Sequence, residues 1–192
     1  MTNNITISLG EPITAPFLVP VKHNTTPICI NSTFLTGDEL YKVTAMSFGN
    51  PHGAVFVDDV EKVDVKTLGR ALGNHVLFPE GANIVFIQVL NKNNIMVRLW
   101  QRGVGETAFT AEAACVAGTA TMMCQKTPYS EINVSMGGNI FQMEWNRGVE
   151  VKLSGAENLL LENCEVAKKK DEQKNSAGVF RRLRYNGDYT VA

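Results

Sequence analysis

The sequence predicts an α+β fold in which a β-sheet curls around one central apolar helix. Short runs rich in β-branched and aromatic residues recur along the 192-residue chain, each closed by Gly, Pro, Asn or Asp. One Ala-rich stretch, roughly Ala108 to Gln125, holds a single charge, Glu112. A helix that is apolar on every side is normally buried on every side. The composition, 44% hydrophobic and 19% charged, suits a chain with a packed interior rather than a disordered one.

Taken in order, "ITISLG", "FLVPV", "PICINST", "ELYKVTAMSF" and "AVFVDDV" read as strands within the first sixty residues. "VDVKTLGRALGNH" breaks that run: Asp64 is placed to N-cap a short helix with Val65, Leu68 and Leu72 on one face, and Gly73-Asn74 to end it. "NIVFIQVLN" and "NIMVRLWQ" follow as strands joined by the turn "NKNN". The central helix is stopped by Thr127-Pro128, since the residue before a proline is biased away from helix. "EINVSM", "NIFQMEW" and "VEVKLSG" are the next strands, the first two joined at Gly137-Gly138, and "NLLLENCEV" reads as one more. From Lys168 the composition turns polar, with seven Lys or Arg against three Asp or Glu. This predicts a domain over 1–166 and a polar linker with a basic extension over 167–192, a solvated tail rather than a polyanion-binding arm.

Several function classes are excluded by bulk properties. A net charge of −1 gives no electrostatic case for nucleic acid or anionic membranes. No run approaches the roughly 18 apolar residues of a membrane span, and "MTNNITISLGEP" lacks the basic and apolar regions of a secretory signal. The four cysteines, Cys29, Cys115, Cys124 and Cys164, form no CxxC pair and no zinc-type cluster with histidine. No metal site is expected, and a reducing cytoplasmic setting with free, mostly buried thiols is.

"LWQRGVGETAFTAEAACVAG" raises the question of chemistry, because a strand, a glycine turn and a helix start in that order aim backbone N–H groups at an anion. Together with "SFGNPHGAVFVDDV", "NHVLFPEGANIVFIQVL" and "SMGGNIFQMEW", it resembles the C-terminal half of the diaminopimelate epimerase family, from about residue 5 to about residue 166. The combination of "GNPH", "FPE..N" and "W.RGVGET" is far more specific than any one glycine motif. The resemblance implies one lobe of a fold made of two pseudo-repeated halves, each a mixed sheet around a central helix, with the ligand between them. It implies cofactor-independent amino-acid epimerisation by two cysteines, one per half, with no metal, pyridoxal phosphate or nucleotide. A thiol suits such work because a helix N-terminus and a neighbouring base can lower its pKa from about 8.5.

Carried over residue by residue, the resemblance gives Asn50 and Asn83 as ligand-binding asparagines and His52 as the histidine that assists the other half's cysteine. It gives Arg102 as the grip on a ligand carboxylate and Gly105 as part of the turn before the helix. Each also suits a structural role in isolation: a turn for "GNPH", a strand cap for Asn83, a surface ion pair for Arg102. The reactive positions depart from the family. Thr110 stands at the cysteine position and Gln101 at that of the assisting glutamate, while Glu112 enters the small anion-binding stretch. A threonine hydroxyl is a poor base unless another base activates it, and glutamine cannot take up a proton. Cys115, about 140° around the helix from Thr110, is expected to be a core thiol. The family's other half, with its cysteine, has no counterpart in these residues, so His52 is expected to lack a partner thiol in this chain.

The expectation is therefore a catalytically degenerate lobe, a pseudoenzyme that binds an amino-acid-like ligand or a partner. An exposed half of a two-lobed fold is expected to self-associate or to meet a complementary N-terminal-half chain. The alternative is an epimerase or dehydratase completed by such a chain, as cysteine-to-threonine exchange occurs in dehydratase-type relatives.

Overall fold

A computed structural model describes residues 3–22 and 28–161. β1 (Asn4–Ser8) opens the chain, and β2 (Ser32–Thr36) and β3 (Glu39–Ser47) form a hairpin. β4 (Pro51–Phe56) returns against β3; a 3-10 turn at Val60–Lys62 and α1 (Val65–Gly73) then lead to β5 (Asn83–Asn91). β6 (Asn94–Gln101) pairs antiparallel with β5, and short β7 (Gly105–Thr107) folds back on its end. After α2 (Ala111–Met123) come β8 (Glu131–Met136), β9 (Asn139–Glu144) and β10 (Lys152–Ala156).

All these strands enter one mixed ten-stranded sheet, ordered β1-β10-β9-β8-β6-β5-β4-β3-β2, with β7 on β6. Its two parallel joins are β4–β5 and β6–β8, and a helix lies in the crossover of each. Parallel neighbours need such a crossover, whereas antiparallel neighbours can be joined by a tight turn. The alternation of β5 divides the interior. Val85 and Ile87 pack in the cluster that includes α2, while Ile84 and Phe86 pack with Leu72, Phe78 and Trp100 beside α1. A strand buried on both faces reads as a nearly continuous apolar run, and "NIVFIQVL" is one.

α2 lies against β3, β4, β5, β6, β8, β9 and β10, and the run from Ala113 to Thr121 is buried throughout. It begins three residues later than the sequence suggests, because Thr110 adopts the extended backbone of an N-cap, and it ends at Met123 ahead of Gln125 at φ 55°. α1 matches its expected bounds, from Asp64 as N-cap to Asn74 as C-cap.

Three expected strands differ. "FLVPV" forms turns: Leu18 and Val19 N–H groups donate to the Ala15 carbonyl and Val21 to Pro16, while Pro16 and Pro20 have no N–H for a ladder. Of "PICINST", the described residues 28–31 precede the strand, which starts at Ser32. "NLLLENCEV" begins as helix over 157–161, burying Leu160 while Asn158 and Leu161 stay exposed. Three successive leucines carry no alternation to hold a strand register. The boundary expected near residue 166, the basic extension and Cys164 lie outside the described residues.

Candidate functional site

Antiparallel and parallel pairing together bring the end of β3, the starts of β4 and β5 and the end of β6 to one end of the sheet. The turn from Ser47 to Pro51 is tightened by Gly49, whose N–H donates to Ser47 Oγ at 3.0 Å and whose φ of 105° favours glycine. This turn delivers Asn50 and His52. In the parallel register His52 lies beside Asn83, 31 residues away in sequence.

Four of the expected residues are joined by hydrogen bonds. The Asn50 carbonyl lies 2.8 Å from His52 Nδ1, and Asn83 Nδ2 lies 3.1 Å from His52 Nε2. Asn83 Oδ1 accepts the backbone N–H of Arg102 at 2.9 Å. The Arg102 guanidinium then turns back onto the 78–81 turn, donating to the carbonyls of Glu80 and Gly81, the latter at 3.1 Å. Gly81, at φ 71°, leaves the space this requires: a Cβ there would stand 2.9 Å from Arg102 Cδ. His52 is 1% exposed and its pKa is pushed down to about 4, first by burial and further by the charge of Arg102, against the opposing bond to Asn50. It is a neutral imidazole at physiological pH.

Gln101 ends β6 opposite Gly105, the first residue of β7. Val104 N–H closes the turn on the Gln101 carbonyl at 3.1 Å, with Gly103 and Gly105 at φ 76° and 109°. Beyond it, Glu106 is gripped by Arg98, Nε at 2.8 Å and Nη2 at 2.7 Å, while Arg98 Nη1 donates to the carbonyls of Val60 and Val63. Sequence reading did not single out Arg98, although a lone charge inside the apolar strand "NIMVRLW" was a signal available to it.

Thr110 Oγ1 accepts the Ala113 N–H at 3.1 Å, which makes it the N-cap of α2. Phe109 beside it stacks on Phe141, ring centroids 4.1 Å apart. Glu112 lies in the first turn, where a carboxylate favours the helix dipole. Cys115 is fully buried, and its pKa is raised well above the usual thiol value by burial and then by Glu112. The expected residues thus fall into two groups, the bonded set Asn50–His52–Asn83–Arg102 and the helix start Thr110–Glu112, with Gln101 and Gly105 in the turn between. Among the described residues no group of three His, Cys, Asp or Glu side chains could hold a metal ion, and no helix is long and apolar enough to cross a membrane.

Residues 44–157 match the family model for diaminopimelate epimerase. The chain belongs to the diaminopimelate epimerase family. It is 36% identical over 154 residues to the diaminopimelate epimerase of Oceanobacillus iheyensis, covering 80% of this chain and 54% of that protein. To the diaminopimelate epimerase of Leptospira biflexa it is 32% identical over 151 residues, covering 79% and 54%. The chain therefore spans about half the length of the curated relatives it matches. In structure it resembles a hydroxyproline epimerase from Agrobacterium vitis with bound trans-4-OH-L-proline, at a TM-score of 0.51 and 12% identity, over 80% of this chain and 50% of that one. At that identity the likeness is one of fold. The mostly-sheet architecture is thus shared with that epimerase's fold.

Proposed function

We propose that the chain is one lobe of the diaminopimelate epimerase-like fold, its sheet curled around α2, which keeps a ligand-holding side and has exchanged its reactive pair. The observation that carries this reading is the hydrogen bond from Ala113 N–H to Thr110 Oγ1. It gives the residue at the family's cysteine position a structural task, that of a helix cap. Gln101 has no proton-accepting group for acid–base work, and His52 is buried and neutral with both ring nitrogens engaged. Cys115 is too deeply buried, and its pKa too high, to stand in for the exchanged thiol.

The ligand is then an amino acid such as diaminopimelate, held by Asn50, Arg102, Gly105 and the region of Glu112, with Asn83 placing Arg102. Arg102 supplies the charge-assisted contact to a carboxylate. No cofactor is needed for such a role, and the free cysteines Cys29, Cys115 and Cys124 suit a reducing cytoplasmic compartment. In heavy water, the purified chain is expected to put no deuterium on the α-carbon of diaminopimelate, read by mass spectrometry. Calorimetry is expected to show binding that Arg102→Ala weakens tenfold or more, for a charged hydrogen bond of about 1.5–3 kcal/mol. Deuterium incorporation by the chain alone would overturn this reading.

A second reading, in which another chain supplies the N-terminal half and its cysteine, rests on the retained hydrogen-bonded set Asn50–His52–Asn83–Arg102. The pair would then act as a cofactor-independent isomerase, epimerase or dehydratase. Deuterium that enters the amino acid only after the two chains are mixed would establish it. Light scattering would separate that heteromer from self-association of this chain.

A further inference from the structure

The hydrogen bonds around His52 have a fixed polarity, because both ends of the chain they form are backbone groups. Arg102 N–H can only donate, so the Asn83 atom 2.9 Å from it is the accepting Oδ1. The other half of that amide, Nδ2, then faces His52 and donates, so Nε2 of the ring, 3.1 Å away, must carry a lone pair. At the far end the Asn50 carbonyl can only accept, so Nδ1, 2.8 Å away, must carry the proton. The two ends demand the same tautomer independently. Every donor points the same way, from Arg102 through Asn83 and His52 to Asn50.

We propose that Asn83 is a positioning residue whose amide locks His52 in the neutral Nδ1–H tautomer and ties that ring to the backbone of Arg102. In this arrangement a proton on Nε2 would face the Asn83 N–H, donor against donor. Asn83 thereby opposes the imidazolium in addition to the ring's burial, and it serves the ligand through Arg102. His52 could assist a thiol from another chain only after Asn83 had released it. The inference rests on the proposed ligand-holding reading for its functional consequence alone; the coupling itself exists in the free protein and is measured there.

The test is ring nitrogen NMR on the full chain without ligand, with His52 assigned by comparison with His23→Gln and His75→Gln variants. His52 is expected as the neutral Nδ1–H tautomer at neutral pH, with no titration near the ordinary 6.5. The charged group facing it is Arg102, which acts in the same direction as burial. Asn83→Asp presents only acceptors: one oxygen still accepts Arg102 N–H, and the other now calls for a proton on Nε2. The ring is expected to become imidazolium at neutral pH, its midpoint moving from about 4 to above about 7. An Nε2–H tautomer in the unsubstituted chain, titration near 6.5, or a ring unchanged in Asn83→Asp would each overturn the proposal. Should Asn83→Asp not fold, the tautomer and titration of the unsubstituted chain decide it. Loss of diaminopimelate binding with the tautomer intact would count against the ligand reading instead.

Discussion

The two helices begin in the same way and then diverge. Asp64 caps α1 by accepting the Thr67 N–H at 3.0 Å, and Thr110 caps α2 by accepting the Ala113 N–H at 3.1 Å. α1 buries one side, through Val65, Gly69, Leu72 and Gly73 with Leu68 partly covered, and exposes Lys66, Thr67 and Arg70. α2, built mostly of small residues, buries almost its whole surface. A half-buried helix needs one close-fitting face and can carry a charged cap in water. A fully buried helix needs small, adaptable contacts all round, and a neutral cap spares it the cost of burying a charge.

Glycine substitution is the strongest way to break this comparison. A Cβ on Gly73 would stand 2.2 Å from Trp100 Cζ3 and 2.7 Å from the Ala82 carbonyl oxygen, so neither a rigid ring nor the backbone can yield. Gly73→Ala is expected to destabilise by about 1–3 kcal/mol or more, outweighing the ~1 kcal/mol by which alanine favours a helix. On α2, a Cβ on Gly118 would meet the Met143 Cε at 2.4 Å, the far end of a flexible side chain. Gly118→Ala is therefore expected to be close to neutral. Urea midpoints of the two variants give the comparison, and equal losses would remove the distinction between a rigid and an adaptable face.

The part of this contrast visible in the sequence was the part that depends on local pattern. Asp64 before Val65 announced the cap of α1, and an Ala-rich run with one charge announced a buried α2. The fit of Gly69 and Gly73 to Trp100 was not visible, because it depends on how β6 crosses behind α1. Nor was the meeting of His52 with Asn83, which requires the parallel register of β4 and β5. The family resemblance placed Asn50, His52, Asn83 and Arg102 in one expected pocket. It gave no sign that the Asn83 amide and the His52 ring would be spent on one another and on backbone groups. Thr110 was expected to stand at the family's cysteine position, and its role as a cap was obscured by starting the helix at Ala108.

The capping bond of Thr110 gives the next largest effect. Thr110→Ala is expected to cost about 1 kcal/mol, with Thr110→Ser retaining most of the stability because its hydroxyl still reaches Ala113 N–H. Thr110→Cys is expected to lie near the alanine variant, since a thiol sulfur is a weak acceptor. Thermal midpoints of the three variants would check the order. If cysteine proved as stabilising as threonine, the bond to the threonine hydroxyl would not be what holds the start of α2.

The smallest effect separates the two caps by pH. The Asp64 carboxyl is held below its usual value of 3.8, first by the hydrogen bond from the Thr67 backbone and then by the Thr67 side chain. A folded-state pKa below the unfolded one gives stability that is complete above the unfolded value and is lost as pH falls through the folded one. Asp64→Asn keeps an accepting oxygen but removes the charge, so the native chain should exceed it in stability at neutral pH. That margin should close on acidification below the unfolded value, where Asp64 takes up its proton. Thr110 has no titrating group, so the margin of the native chain over Thr110→Ala should stay level across the same range. Urea midpoints between about pH 2 and pH 7 would read both margins. A Thr110 margin that closed in parallel with that of Asp64 would mean that a titrating neighbour such as Glu112, rather than the hydroxyl alone, holds the start of α2.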